Sequence, residues 1–269
     1  MFSLYLECKQ EEKDLLIAEL WDEGSMGITE VDDGHLRAFF ENDAGAAGLL
    51  QRFAAFDPHW EREEAVDWVA IAREKVQPML VGSRFFLAPQ WRQDPTPPGR
   101  LRIEINPGQA FGTGIHETTQ LCLEALEREI RPGMTVLDVG TGSGILAEAA
   151  ALLGAGSVCA CDLDPAAVGV ARIKVEAVFI GSSEAIQPAH FDVAIANISP
   201  EAIRQIAPDL LGCLRTGGSA VCSGFEAQDV SSVGRAIEAC GGVVKEVQRK
   251  NSWALIVAAT RKPCRPARL

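Results

Sequence analysis

The spacing of apolar residues changes character several times along the chain. Residues 3–8 alternate apolar and polar, which predicts a strand. Over 13–21 the spacing of Leu16, Ile17 and Leu20 becomes that of an amphipathic helix, ended by Gly24 and Gly27. Residues 28–31 and 36–41 flank Asp32-Asp33-Gly34 as the arms of a hairpin. A second helix is expected over 46–56 and a last strand over 60–66. The order β-α-β-β-α-β predicts a small ferredoxin-like α+β unit over residues 1–66. That unit holds no cluster of catalytic residue types; it is a structural cap or a substrate-docking module.

A helical stretch at 67–76, stopped by Pro78, begins an expected linker over 67–81. A turn-rich piece with three prolines follows at 93–99, between strand-like segments at 84–87 and 101–105. From Thr118 onward short apolar strands alternate with helices: a helix at 119–129, a strand at 135–139, a helix at 145–153, a strand at 157–161. Such alternation predicts a parallel sheet with helices on both faces, within a domain spanning 82–269. The last dozen residues, with Lys262, Arg265 and Arg268, read as a frayed basic tail.

Composition narrows the function. Hydrophobic residues at 47% and charged residues at 23% are those of an ordinary globular chain, so extensive disorder is not expected. The 37 acidic against 25 basic residues give −12. That balance offers no bulk attraction for nucleic acid or anionic membrane, and favours a basic partner. No direct nucleic-acid binding is expected, and no run approaches the ~20 apolar residues of a membrane span. None of the eight cysteines forms a Cys-x-x-Cys pair. Cys159 and Cys161 fall in an apolar strand and read as buried thiols, with no metal site expected. A reducing cytoplasm fits that usage.

The strongest chemical signal is Val136-Leu137-Asp138-Val139-Gly140-Thr141-Gly142-Ser143-Gly144. A buried strand enters a glycine turn, and a helix opens at Ile145. Glycines there permit positive φ and close approach of a ligand to the backbone. A dinucleotide site spaces its third glycine as Gly-x-Gly-x-x-Gly; here the spacing is Gly-x-Gly-x-Gly. Asp138, just before the turn, suits a cationic ligand better than a pyrophosphate. Asp162 ends the next strand, where a carboxylate takes both ribose hydroxyls. Asp164, directly ahead of Pro165, is the expected helix cap. The strand 191–198 delivers Asn197 to the sheet edge at which ligands bind in open α/β sheets. Residues 106–119 form a loop rich in Gly and Thr running into a helix. In it Phe111 is placed to cover an adenosyl or methionyl group, and His116 reads as a structural hydrogen-bonding residue rather than a general base.

Together, Pro107-Gly108-x-Ala110-Phe111-Gly112-Thr113-Gly114-x-His116-x-Thr118-Thr119, the Gly140 turn, Asp162 and Ala196-Asn197-Ile198 resemble the bacterial ribosomal protein L11 methyltransferase family, PrmA. Asp67-Trp68 and Pro89-x-Trp91 are similar to it too. The resemblance implies a class I S-adenosylmethionine-dependent methyltransferase: a Rossmann-like seven-stranded sheet ending in an antiparallel hairpin, here at 243–248 and 253–258. It implies S-adenosyl-L-methionine as cofactor, and as partner a large-subunit ribosomal protein methylated on lysine or N-terminal amino groups. The N-terminal unit then recruits the substrate. Cofactor contacts carry over to Thr119, Gly140, Asp162 and Asn197, with Phe111, Thr118, Asp138, Gly142 and Ser182 nearby; Asn197 is also the expected amine-orienting, catalytic residue. The chain departs from the family in a shortened stretch between Asp162 and Asn197, and in Ser199-Pro200 where an apolar residue is usual. Methylation of another protein or a small molecule is the main rival, and a nicotinamide-dependent oxidoreductase a remote one.

Overall fold

The alternation near the N-terminus becomes a strand because one set of its side chains is buried and the other is not. In β1 (Phe2–Glu7) Leu4 and Leu6 sit in a core with Leu16 and Leu20 of α1 (Lys13–Asp22). The computed structural model describes residues 2–9, 12–32, 34–62, 76–106 and 114–261. The chain divides into two units, Met1–Lys75 and Val76–Leu269.

In the first unit β2 (Gly27–Asp32) and β3 (His35–Phe40) form the expected hairpin, followed by α2 (Ala46–Arg52) and β4 (His59–Arg62). The sheet order is β2-β3-β1-β4, antiparallel throughout, which is the ferredoxin-like arrangement. The second helix is shorter than its apolar pattern suggests. It stops at Arg52, and Ala54–Phe56 tighten into a 3-10 turn before Asp57 enters the left-handed region at φ 44°. Phe53 is buried in the core, and the chain has few residues in which to reverse into β4. The rest of the expected strand, 63–66, and the helical stretch from 67 to 75 lie outside the described residues. The far end of the expected linker is strand: Met79–Val81 form β5, since Pro78 cannot continue a helix.

The second unit opens with a three-stranded sheet, β5-β6-β7, from β5, β6 (Phe85–Pro89) and β7 (Leu101–Ile105). Then come α3 (Glu117–Glu129), β8 (Thr135–Val139), α4 (Ile145–Leu152), β9 (Ser157–Asp162), α5 (Pro165–Ala171), β10 (Ala177–Ile180), β11 (Phe191–Asn197), α6 (Pro200–Gly212), β12 (Leu214–Glu226), α7 (Val230–Ala239), β13 (Gly242–Lys250) and β14 (Trp253–Thr260). Strands β8 to β14 make one seven-stranded sheet of order β10-β9-β8-β11-β12-β14-β13. It is parallel except for β14, which is antiparallel to both its neighbours. This is the class I methyltransferase sheet with its closing hairpin. The central strands are apolar without a break because helices cover both faces: in β8, Val136 packs into one core and Leu137 into the other. Among the described residues no helix is long and apolar enough to cross a membrane.

Candidate cofactor and amine site

The parallel strands reach one edge in register. Val139 of β8 lies opposite Cys161 of β9 and Ala196 of β11. The residues that follow, Gly140, Asp162 and Asn197, therefore leave the sheet side by side. Ile180 of β10 pairs with Asp162, so Gly181 and Ser182 emerge at the same edge. Residues far apart in sequence meet at the carboxyl ends of the strands, where open α/β sheets bind ligands.

The glycine turn is built from left-handed backbone. Gly140, Gly142 and Gly144 have φ of 71°, 54° and 78°. A Cβ on Gly140 would lie 2.3 Å from Ile198 Cγ2, and one on Gly144 would lie 3.2 Å from Ala171 Cα. The N–H groups of Gly140 and Thr141 both donate to the Cys161 carbonyl, at 2.9 and 3.0 Å. The Gly142 N–H donates to Asp162 Oδ2 at 2.9 Å. Asp162 Oδ1 accepts from the Asp164 N–H at 3.0 Å, while Asp164 caps α5 by accepting from the Ala166 N–H at 2.8 Å. Asp164 thus caps the helix, as expected, and Asp162 braces the turn with acceptor positions left over.

Asp138 is buried beneath the turn. Burial pushes its carboxyl up to about 6, against the opposing effect of the Thr141 hydroxyl, which donates to Oδ2 at 2.7 Å. The first turn of α3 brings in Thr118 and Thr119, both buried. Asn197 Nδ2 makes a long contact of 3.4 Å to Thr119 Oγ1. Its carbonyl oxygen, Oδ1, is buried and has no hydrogen-bond partner among the described residues. His116 caps α3: Nδ1 accepts from the Thr118 N–H at 3.3 Å and lies 2.8 Å from the Thr118 hydroxyl, with the ring edge-on to Trp253 at 4.6 Å. That is the structural use expected of it. Ser182 leads into a short 3-10 turn whose Ser183 Oγ is buried without a partner among the described residues. Phe111 and the rest of 107–113 lie outside the described residues. In β9, burial raises the thiol of Cys159 and pushes that of Cys161 up to about 12.

The roles of Thr141 and Ile198, and Gly224 altogether, escaped the sequence reading. Thr141 sits three residues after Asp138, a spacing that could have suggested their bond. Ile198 fills the space over Gly140. Gly224, at φ 95°, leaves no room for a Cβ, which would lie 2.3 Å from the Ile198 carbonyl oxygen. Nothing local marks Gly224, because only the pairing of β11 with β12 brings it there.

The chain matches the family described as "Ribosomal protein L11 methyltransferase (PrmA)" over residues 3–261. Two curated relatives, both named ribosomal protein L11 methyltransferase, come from Bacillus cytotoxicus and Bacillus cereus strain Q1. They are 38% and 37% identical over alignments of 201 positions, which cover 71% of this chain and 64% of each relative. The matched region thus spans a little under two thirds of their length. The crystal structure of a ribosomal protein L11 methylase from Lactobacillus delbrueckii subsp. bulgaricus superposes with a TM-score of 0.64 at 29% identity, over 69% of this chain and 100% of that one.

Proposed function

Because this chain belongs to the ribosomal protein L11 methyltransferase (PrmA) family, we propose that it transfers methyl groups from S-adenosyl-L-methionine to lysine or N-terminal amino groups of a large-subunit ribosomal protein. In this reading residues 82–269 carry the chemistry, 67–81 link, and 1–66 recognise the substrate in the cytoplasm.

The observation that carries the proposal is the buried Oδ1 of Asn197, without a hydrogen-bond partner among the described residues, at the edge where Gly140 and Asp162 emerge. A buried acceptor left unpaired costs ~1–3 kcal/mol, so it calls for a donor. The left-handed turn at Gly140 and Gly142 removes side chains from the path of a ligand, as a backbone-hugging cofactor requires. The residues present therefore fit the cofactor. Gly140 and Gly142 would hold it by the backbone and Asp162 by its ribose hydroxyls, with Thr118, Thr119, Asp138, Ser182 and Phe111 around it.

When bound, S-adenosylmethionine supplies a methyl group activated by its sulfonium. The chain's own task is to present a neutral amine in line with that group, and positioning of this kind accounts for much of the acceleration. A free lysine has a pKa of ≈ 10.4, so only about one in a thousand is neutral near pH 7.4. Asn197 Oδ1 would accept an N–H of the amine and leave the nitrogen lone pair free. An uncharged acceptor does this without stabilising the ammonium form, as a carboxylate would. The test is mass spectrometry of ribosomal protein L11 after incubation with enzyme and cofactor. Mass increments of one methyl group or more on amino groups are expected; an unmodified protein would overturn the proposal.

A further inference from the structure

Three arginines line one cleft at the end of the large sheet opposite the edge where Gly140, Asp162 and Asn197 emerge. Arg128 comes from the last turn of α3, Arg131 follows that helix, and Arg215 lies at the start of β12. The cleft holds about 370 Å3. Its lining also carries two acids, Glu129 and Asp192, so its formal charge is 3 − 2 = +1. The whole chain stands at −12, of which −11 belongs to residues 1–75, with 18 acidic and 7 basic side chains.

Asp192 is already saturated. It accepts from Arg215 Nη1 on both oxygens, at 2.8 and 3.0 Å, and its Oδ2 accepts from the Thr135 N–H and hydroxyl at 2.8 and 2.9 Å. The guanidinium groups are not. Each makes its hydrogen bonds through Nη1 alone: Arg128 to the Glu124 carbonyl at 2.9 Å, Arg131 to the carbonyls of Arg128 and Ile130 at 2.5 and 3.0 Å, and Arg215 to Asp192. Arg128 Nη2 lies 3.7 Å from Glu246 Oε2, an ion pair too long for a hydrogen bond. Among the described residues, Nε–H and Nη2–H of all three arginines therefore have no hydrogen-bond partner. These two groups share one edge of the guanidinium and form the fork that takes an oxyanion through two parallel bonds. The main chain beside them is open: Gly217 sits at φ 81°, and a Cβ there would meet nothing within 4 Å. Helix-end contacts and the Asp192 pair account for Nη1 of each arginine. They do not account for three cationic forks on one cleft, which repel one another unless an anion lies among them.

We propose that this cleft is a second ligand site, which binds a diphosphate group, free or as the end of a nucleotide, on the forks of Arg128, Arg131 and Arg215. A diphosphate has oxygens for more than one fork and charge enough to outweigh Glu129. No aromatic ring lines the cleft among the described residues, so a base has no stacking platform and the phosphates carry the recognition. The volume is that of a small-molecule pocket. A chain of net −12 repels a long polyanion such as RNA more than a compact one. The site stands whether or not the chain methylates a ribosomal protein.

Gly217 separates charge from shape. Asn and Asp are the side chains best tolerated at positive φ, so Gly217→Asn and Gly217→Asp share the same backbone cost and differ by one charge at the cleft. Isothermal titration of the full chain with inorganic pyrophosphate, with and without saturating S-adenosylmethionine, should show the same saturable binding in wild type. Affinity should fall about 10-fold or more in Gly217→Asp and in Arg131→Gln, and stay near wild type in Gly217→Asn. The two Gly217 variants should melt at the same temperature. ADP should bind no more tightly than pyrophosphate; tighter binding of ADP would make the diphosphate part of a nucleotide and keep the site. No binding of pyrophosphate at millimolar concentration, competition with S-adenosylmethionine, or equal affinities in Gly217→Asp and Gly217→Asn would each overturn it. So would binding of a short RNA oligonucleotide where pyrophosphate does not bind, since the forks would then be a nucleic-acid surface.

Discussion

Replacing Asp162 by Asn keeps the size of the side chain and removes its charge and one acceptor oxygen. The carboxylate now receives the Gly142 N–H on Oδ2 at 2.9 Å and the Asp164 N–H on Oδ1 at 3.0 Å. Two oxygens offer about four acceptor positions, so roughly two remain for ribose hydroxyls. An asparagine has one oxygen and one NH2 group. Whichever way the amide turns, its nitrogen faces a backbone N–H, donor against donor. The variant must either break a bond that holds the glycine turn or turn its oxygen away from the ribose. A hydrogen bond to a charged group contributes ~1.5–3 kcal/mol, which is about 10- to 150-fold in affinity. Isothermal titration with S-adenosylmethionine should show a loss of that size in Asp162→Asn. Asp162→Glu, which keeps both oxygens but shifts them by one methylene, should fall between it and wild type. Wild-type affinity in Asp162→Asn, at an unchanged melting temperature, would refute the role assigned to the carboxylate.

Asn197→Asp and Asn197→Ala should each lower the single-turnover rate at saturating cofactor by 10-fold or more, about 1.4 kcal/mol of transition-state interaction; rates equal to wild type would make Asn197 a cofactor ligand only. Gly140→Ala forces a Cβ to within 2.3 Å of Ile198 Cγ2 at φ 71°, and denaturant unfolding should register ~1–2 kcal/mol for the left-handed backbone plus ~1–3 kcal/mol for overpacking. Only the overpacking part should return in Gly140→Ala with Ile198→Ala, and no recovery would contradict the collision. Asp138 has its carboxyl raised from 3.8 to about 6 by burial, so its favourable contribution is complete below 3.8 and disappears as pH rises through 6. The wild type should therefore lose about 2 kcal/mol of stability relative to Asp138→Asn between pH 4 and pH 7; parallel pH profiles for the two proteins would refute the shift.

Much of this molecule is determined locally and can be read as such. The runs at 135–139 and 191–197 are apolar because both faces of their strands are covered. The positive φ of Gly140, Gly142 and Gly144 is available at low cost to glycine alone, so the turn is written in the residues that form it. Asp164-Pro165 announces a helix start, and the acid caps it. Other features belong to the tertiary structure. That Gly140, Asp162 and Asn197 emerge in one row depends on the register between β8, β9 and β11, which no local pattern encodes. The raised carboxyl of Asp138 and the unmet oxygen of Asn197 arise from burial, which depends on what packs around them. The end of α2 at Arg52 depends on where β4 must begin, although the apolar spacing runs on to Phe56. Periodicity and turn chemistry act over a few residues, and the chain carries them explicitly. Register, burial and cavities arise between segments far apart in sequence, and exist only once those segments have packed.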